Sequence, residues 1–96
     1  MIRLQFIDKT QMVTVMPNPF NDVIRMQVNT AQQANATIVL FDMLGRKLIT
    51  KNVKLSVGVN NLELTESLIL ANGTYQLTIY TDKNQQTIKV IKSNKY

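Results

Sequence analysis

Apolar and polar residues alternate with a period of two through most of this chain. Ile24, Met26 and Val28 are separated by Arg25 and Gln27, the pattern of a strand with one wet face. Leu62 and Leu64 flank Glu63, and Tyr75, Leu77 and Ile79 alternate with Gln76, Thr78 and Tyr80. Near the end, Ile88 and Val90 point oppositely to Lys89 and Ile91. Ala36-Thr37-Ile38-Val39-Leu40-Phe41 is apolar on both faces and partly β-branched, which predicts a central strand. Met12 to Met16 predicts a further strand, stopped by Pro17.

Turn formers separate these runs: Pro17 to Asp22, Asn29 to Asn35, Leu44-Gly45, Gly58-Val59-Asn60, Asn72-Gly73 and Asp82 to Gln85. The resulting strands are expected over residues 11–16, 23–29, 36–42, 46–52, 60–64, 74–81 and 86–92. Short strands about ten residues apart predict an all-β fold. The expected architecture is an immunoglobulin-like antiparallel β-sandwich of about seven strands with Greek-key connections. One helical turn is expected around Thr65 to Leu70, with the threonine as its cap. Ile2 to Asp8 forms an extra apolar run, so residues 1–10 are expected to be a linker or the end of a preceding domain, and 11–96 the main domain.

Three of the turns carry more than a reversal. In Asp42-Met43-Leu44-Gly45-Arg46, the carboxylate can accept from nearby amides while Gly45 supplies a left-handed residue, and Arg46 is placed to pair with Asp42. In Leu70-Ala71-Asn72-Gly73-Thr74-Tyr75, a tyrosine opening a strand just after a glycine predicts a tyrosine corner, its hydroxyl bonded to backbone a few residues upstream. Pro17-Asn18-Pro19-Phe20 cannot lie in a central strand, because each proline lacks a donor and forces the preceding residue to be extended. This segment is expected to be a stiff crossover, with Phe20 as a plug between the sheets.

The chain has 96 residues, a net charge of +5, no histidine and no cysteine. Imidazole bases, thiol nucleophiles and the usual zinc ligands are therefore all missing. The acids are Asp8, Asp22, Asp42, Glu63, Glu66 and Asp82, and no two of them make an acid/base constellation. Three glycines build no phosphate cradle of the known types. The cations are spread along the chain without a basic run or an RNA-binding aromatic signature, which argues against nucleic acid as a partner. Neither an enzyme nor a cofactor is expected.

The order and wording of the turns add something the separate turns do not. Val13 to Pro19 runs from a valine-bearing strand into Pro17-Asn18-Pro19. Asp42 precedes Gly45-Arg46, Gly58-x-Asn60 follows, then Leu70-x-x-Gly73-x-Tyr75, then the basic strand Lys89-Val90-Ile91-Lys92. Together these motifs resemble the C-terminal sorting domain (type A) of the type IX secretion system of Gram-negative bacteria. The similarity extends from about Val13 to Lys92, and Ser93-Asn94-Lys95-Tyr96 runs past the usual end.

The resemblance implies a secretion signal on a cargo protein rather than an activity. It implies recognition by the outer-membrane translocon and its shuttle protein, and removal by a sortase-like peptidase at the cell surface in many members. The precursor would reach the periplasm on a separate signal, with a cargo domain upstream. For the recognised surface, the last strand with Lys89, Val90, Ile91 and Lys92 is the expectation, because an edge strand offers backbone groups for strand addition. The alternative for that strand is that both lysines blunt the edge against aggregation. For the whole chain, the rival is an immunoglobulin-like carbohydrate-binding or adhesive module, which would need exposed aromatic rings.

Overall fold

The computed structural model describes residues 11–16, 18–81 and 84–93, and the expected strand Ile2 to Asp8 lies outside the described residues. Among the described residues seven strands form: β1 Gln11–Val15, β2 Ile24–Thr30, β3 Ala34–Phe41, β4 Lys47–Leu55, β5 Gly58–Leu64, β6 Gly73–Tyr80 and β7 Gln85–Lys92. They divide into a three-stranded sheet ordered β1-β2-β5 and a four-stranded sheet ordered β4-β3-β6-β7. All strand pairs are antiparallel. The hairpins β1/β2, β3/β4 and β6/β7 stay within a sheet, while the other three connections cross between sheets. This is the immunoglobulin-like arrangement the spacing predicts, with β3 central as its two-faced apolar run requires.

The period-two pattern decides which way each strand faces. Ile24, Met26, Val28 and Leu64 from the smaller sheet meet Ala36, Ile38, Leu40, Leu55, Tyr75, Leu77, Ile79 and Val90 from the larger one in a single core. Phe20 enters this core fully buried, as the sequence suggests, although it lies in no strand. Val39 is also buried, but by the register it sits on the outer face, between Thr50 and Thr78 of the flanking strands. Its neighbours on that face shield it, which explains how β3 can be apolar on both sides.

Boundaries differ from the sequence expectation where pairing extends a strand past its apolar run. β4 continues to Leu55 because β3 already starts at Ala34, and the two residues pair. Likewise, β5 begins at Gly58, paired with Thr30, rather than at Asn60. A 3-10 helix, η1, does form at Thr65–Ile69, but Thr65 does not cap it, and Leu64 occupies the cap position without a side-chain bond. The hydroxyl that organises this turn belongs to Ser67, which is fully buried and donates to the Leu64 carbonyl at 2.6 Å.

Truncating a fully buried phenylalanine costs about 3–5 kcal/mol, the lost transfer energy plus the cavity left behind. Against a total near 5–15 kcal/mol for a domain of this kind, Phe20→Ala is expected to remove a large part of the stability. Urea unfolding of the two proteins should show this as a strongly lowered midpoint, and an unchanged midpoint would contradict the placement of Phe20 in the core.

Candidate recognition surface

The last strand and the proline segment, far apart in sequence, meet along one edge. β7 is the outer strand of the four-stranded sheet, and its odd-numbered residues turn their backbone groups away from β6. Residues 18–20 take those groups in order. The Asn18 side chain donates to the Lys89 carbonyl at 3.1 Å and accepts from the Ile91 amide at 3.2 Å. Phe20 then donates its amide to the Ile91 carbonyl at 2.8 Å and accepts from the Ser93 amide at 2.9 Å. Phe20 and Lys92 form a parallel bridge, so this short ply runs alongside β7 like a fragment of an eighth strand. The Asn18–Pro19 peptide is cis.

This pairing changes the expectation for β7. Its edge from the Lys89 carbonyl to the Ser93 amide is not open to an added strand, because Asn18 and Phe20 already hold the Lys89 carbonyl, both Ile91 backbone groups and the Ser93 amide. The four expected recognition residues also divide by face. Val90 and Lys92 point inward and are buried, whereas Lys89 and Ile91 are exposed on the outer face. Lys92 is only 3% exposed, and its ammonium donates to the Leu68 carbonyl at 2.7 Å and the Ser67 carbonyl at 3.2 Å. Both acceptors lie in η1: the Ser67 carbonyl also takes the Leu70 amide at 3.1 Å, so the Leu68 carbonyl is the one that depends on the lysine. The Lys92 ammonium is thus turned onto the domain's own backbone, where it ties β7 to η1.

Ser67 completes this junction. Its Oγ accepts from the Ile24 amide at 2.9 Å, linking the start of β2 to the end of β5. A second inward lysine works at the opposite edge of the same sheet. Lys51 of β4 pairs with the core residue Ile38, and its Nζ donates to the Glu63 carbonyl of β5 at 3.2 Å. Inward-pointing charges on edge strands also disfavour edge-to-edge association.

The remaining motif residues each serve the backbone. Asp42 Oδ1 accepts from the Leu44 amide at 2.8 Å and the Arg46 amide at 3.0 Å, and Arg46 Nε donates to Oδ2 at 2.7 Å. Gly45 is left-handed, with φ at 86°, so the expected hairpin and ion pair are both present. Asn60 bridges the β4–β5 turn, accepting from the Ser56 amide and donating to the Ser56 carbonyl, both at 2.9 Å. It also reaches the Val28 carbonyl on β2 at 3.1 Å, and Gly58 with φ at 102° lets the chain turn there. Tyr75 donates its hydroxyl to the Ala71 carbonyl at 2.6 Å, which is the predicted tyrosine corner. Leu70 packs against the core, and Gly73 opens β6. The chain here crosses between sheets rather than making a hairpin. Pro17 lies outside the described residues.

Charge is distributed unevenly over the two sheets. β3, β4, β6 and β7 contain no aspartate or glutamate, yet β4 and β7 carry Lys47, Lys51, Lys54, Lys89 and Lys92. The described acids lie elsewhere. On the smaller sheet Arg25 pairs across strands with Glu63 at 3.1 Å and with Asp22 at 3.0 Å. The bond from Arg25 holds the Asp22 carboxyl below its ordinary value, and the same contact raises the guanidinium. The Asp42 carboxyl is also lowered, first by the Arg46 amide and then, against some desolvation, by the Arg46 side chain. For a carbohydrate module, the aromatic supply among the described residues is thin: Phe20 and Tyr75 are buried, and Tyr80 and Phe41 are each half-buried. No cluster of potential metal ligands occurs among the described residues.

Several of these roles have no strong sequence signal. Ser67 is an ordinary serine between Glu66 and the apolar run Leu68-Ile69-Leu70. The bond from Asn18 to a strand 71 residues away depends on the fold, although an asparagine between two prolines is a visible oddity. The inward face of Lys92 could have been read from its even spacing to Val90, since alternation places both on the core side.

A family model described as the secretion system C-terminal sorting domain matches residues 14–93. No curated protein matches the chain.

Two outcomes separate structural from surface roles. Lys92→Met keeps the stem but takes the donor from the Leu68 carbonyl and one of two donors from the Ser67 carbonyl, and an unsatisfied buried polar group costs about 1–3 kcal/mol. Lys89→Met removes an exposed ammonium and should change stability by no more than about 0.5 kcal/mol. Equal urea midpoints for the two variants would contradict the inward placement of Lys92. For Asp42, the lowered folded-state pKa means that its stabilising effect is complete above the unfolded value, about 3.9. It is lost as pH falls below that and through the folded value. NMR titration should find the Asp42 midpoint below that of a free aspartate, and Asp42→Asn should flatten the stability curve in that acid window.

Proposed function

The chain belongs to the family of secretion system C-terminal sorting domains, and on that premise we propose that it is read as a folded unit by the type IX machinery through the surface around Lys89 and Ile91. A type IX sorting domain directs the export of an upstream cargo across the outer membrane, to the cell surface or beyond. The outer-membrane translocon and its shuttle protein bind the domain, and a sortase-like surface peptidase then separates it from the cargo. On this reading residues 11–96 are the sorting unit and residues 1–10 the junction toward the cargo.

The observation that carries this reading is the division of labour among the motif residues. Asp42, Asn60, Tyr75 and Lys92 all turn their polar groups onto the domain's own backbone. They make the shape, and what remains outward at the end of the chain's last strand is Lys89 with Ile91. A sorting signal requires that combination, a self-sufficient fold and a surface not needed by it. No chemistry beyond binding is required of the domain itself.

The test uses a fluorescent protein with an inner-membrane export signal ahead of it and the complete 96-residue chain behind it, in a host with type IX secretion. The reporter is expected at the cell surface or in the medium, and in the periplasm of a host lacking the translocon. Mass spectrometry of the exported reporter should find the sorting domain removed. Periplasmic retention in the competent host would overturn the proposal.

A further inference from the structure

We infer that the surface read by the export machinery is a composite, built from Asn18–Pro19 together with Lys89 and Ile91, and not the terminal strand alone. The inference rests on the sorting role proposed above and specifies its binding face. Its basis is the ply along β7. With the Lys89 carbonyl, both Ile91 backbone groups and the Ser93 amide already bonded, an approaching partner cannot extend the sheet there. It meets side chains instead, and half of them come from the proline segment.

Register shows which ones. The parallel bridge sets Phe20 beside Lys92 with both inward, so the preceding residues, Pro19 and Ile91, lie abreast on the outer side. Both are exposed, and Lys89 is the next outward residue along β7. Asn18 fixes the spacing, because one carboxamide bridges the backbone of Lys89 and Ile91 as a strand residue's peptide would. The surface is thus a small apolar ridge of Pro19 and Ile91 with an ammonium at one end. It sits on a sheet whose strands hold five lysines and no carboxylate. The partner chemistry that fits is a protein surface with an apolar slot and a carboxylate beside it. Unlike-charge pairing would also speed encounter and lose strength with salt.

The experiment is export of the same full-chain reporter carrying single substitutions, with melting of each purified chain as a fold check. Pro19→Glu, Lys89→Glu and Ile91→Glu are each expected to lower the exported fraction about tenfold or more, the loss typical of a residue at the centre of an interface. Val57→Glu, at an exposed turn on the opposite edge, should export like the unaltered chain. If Pro19→Glu melts far below the others, Asn18→Ala decides instead, because it leaves Pro19 and Phe20 in place and only loosens the ply. Reduced export of Asn18→Ala supports the composite, while increased export means that the machinery strips the ply and adds its own strand, which overturns it. Normal export of folded Pro19→Glu alongside failed export of Lys89→Glu would show that only the last strand is read. That result sinks the composite but leaves the sorting role standing, whereas retention of the unaltered fusion would sink the sorting role itself.

Discussion

The arrangement depends on one constraint: the outer edge of the last strand must have its hydrogen bonds satisfied without another strand. A seven-stranded sandwich has four edge strands, and each exposes backbone groups that invite association. On β7 the solution is local and specific. Phe20 is anchored at 0% exposure between the sheets, and that anchor holds Asn18 where its carboxamide can bond two residues of the strand. Removing a donor through proline, usually a defect in a strand, is harmless here because the segment bonds through its side chain and through Phe20.

A second consequence concerns charge. Lysines on edge strands are usually described as solvated, but two of the five in the larger sheet reach across to the opposite layer. Lys51 and Lys92 sit at inner positions of β4 and β7, the two edges, and each ammonium ends on main-chain carbonyls. Both sides of the sandwich are closed in this way. The long apolar stem of lysine fits such a position, since it packs along the core margin while its head reaches polar groups. The outward lysines are left as the net charge of a carboxylate-free sheet, and this gives the domain one electrostatic face.

The turns follow the same logic with smaller means. An aspartate holds two amides and a guanidinium, an asparagine holds a turn and the neighbouring strand, and a tyrosine holds the arch into β6. Each is a side chain substituting for a missing backbone partner, which is why short polar residues recur at these points. The wording of these motifs in this chain is thus accounted for largely by folding. Lys89 and Ile91, which the fold does not use in this way, stay exposed on the outer face.

Strand number, sheet faces, the central position of β3 and the tyrosine corner were legible in the sequence, because they depend on local alternation and on the backbone freedom of Gly45 and Tyr75's fixed offset from Gly73. The order of the motifs was legible too, and it pointed to the family. What only the tertiary structure decided were contacts between distant segments: Asn18 against Lys89, Lys92 against Leu68, Ser67 against Ile24. Threonine was the expected cap of η1 because a local rule favours it, yet the buried hydroxyl two residues on was the one a crossing strand could reach. The physical reason is general. Periodicity encodes which face a residue takes, but a hydrogen bond between residues dozens of positions apart exists only once the core has fixed how the two sheets lie.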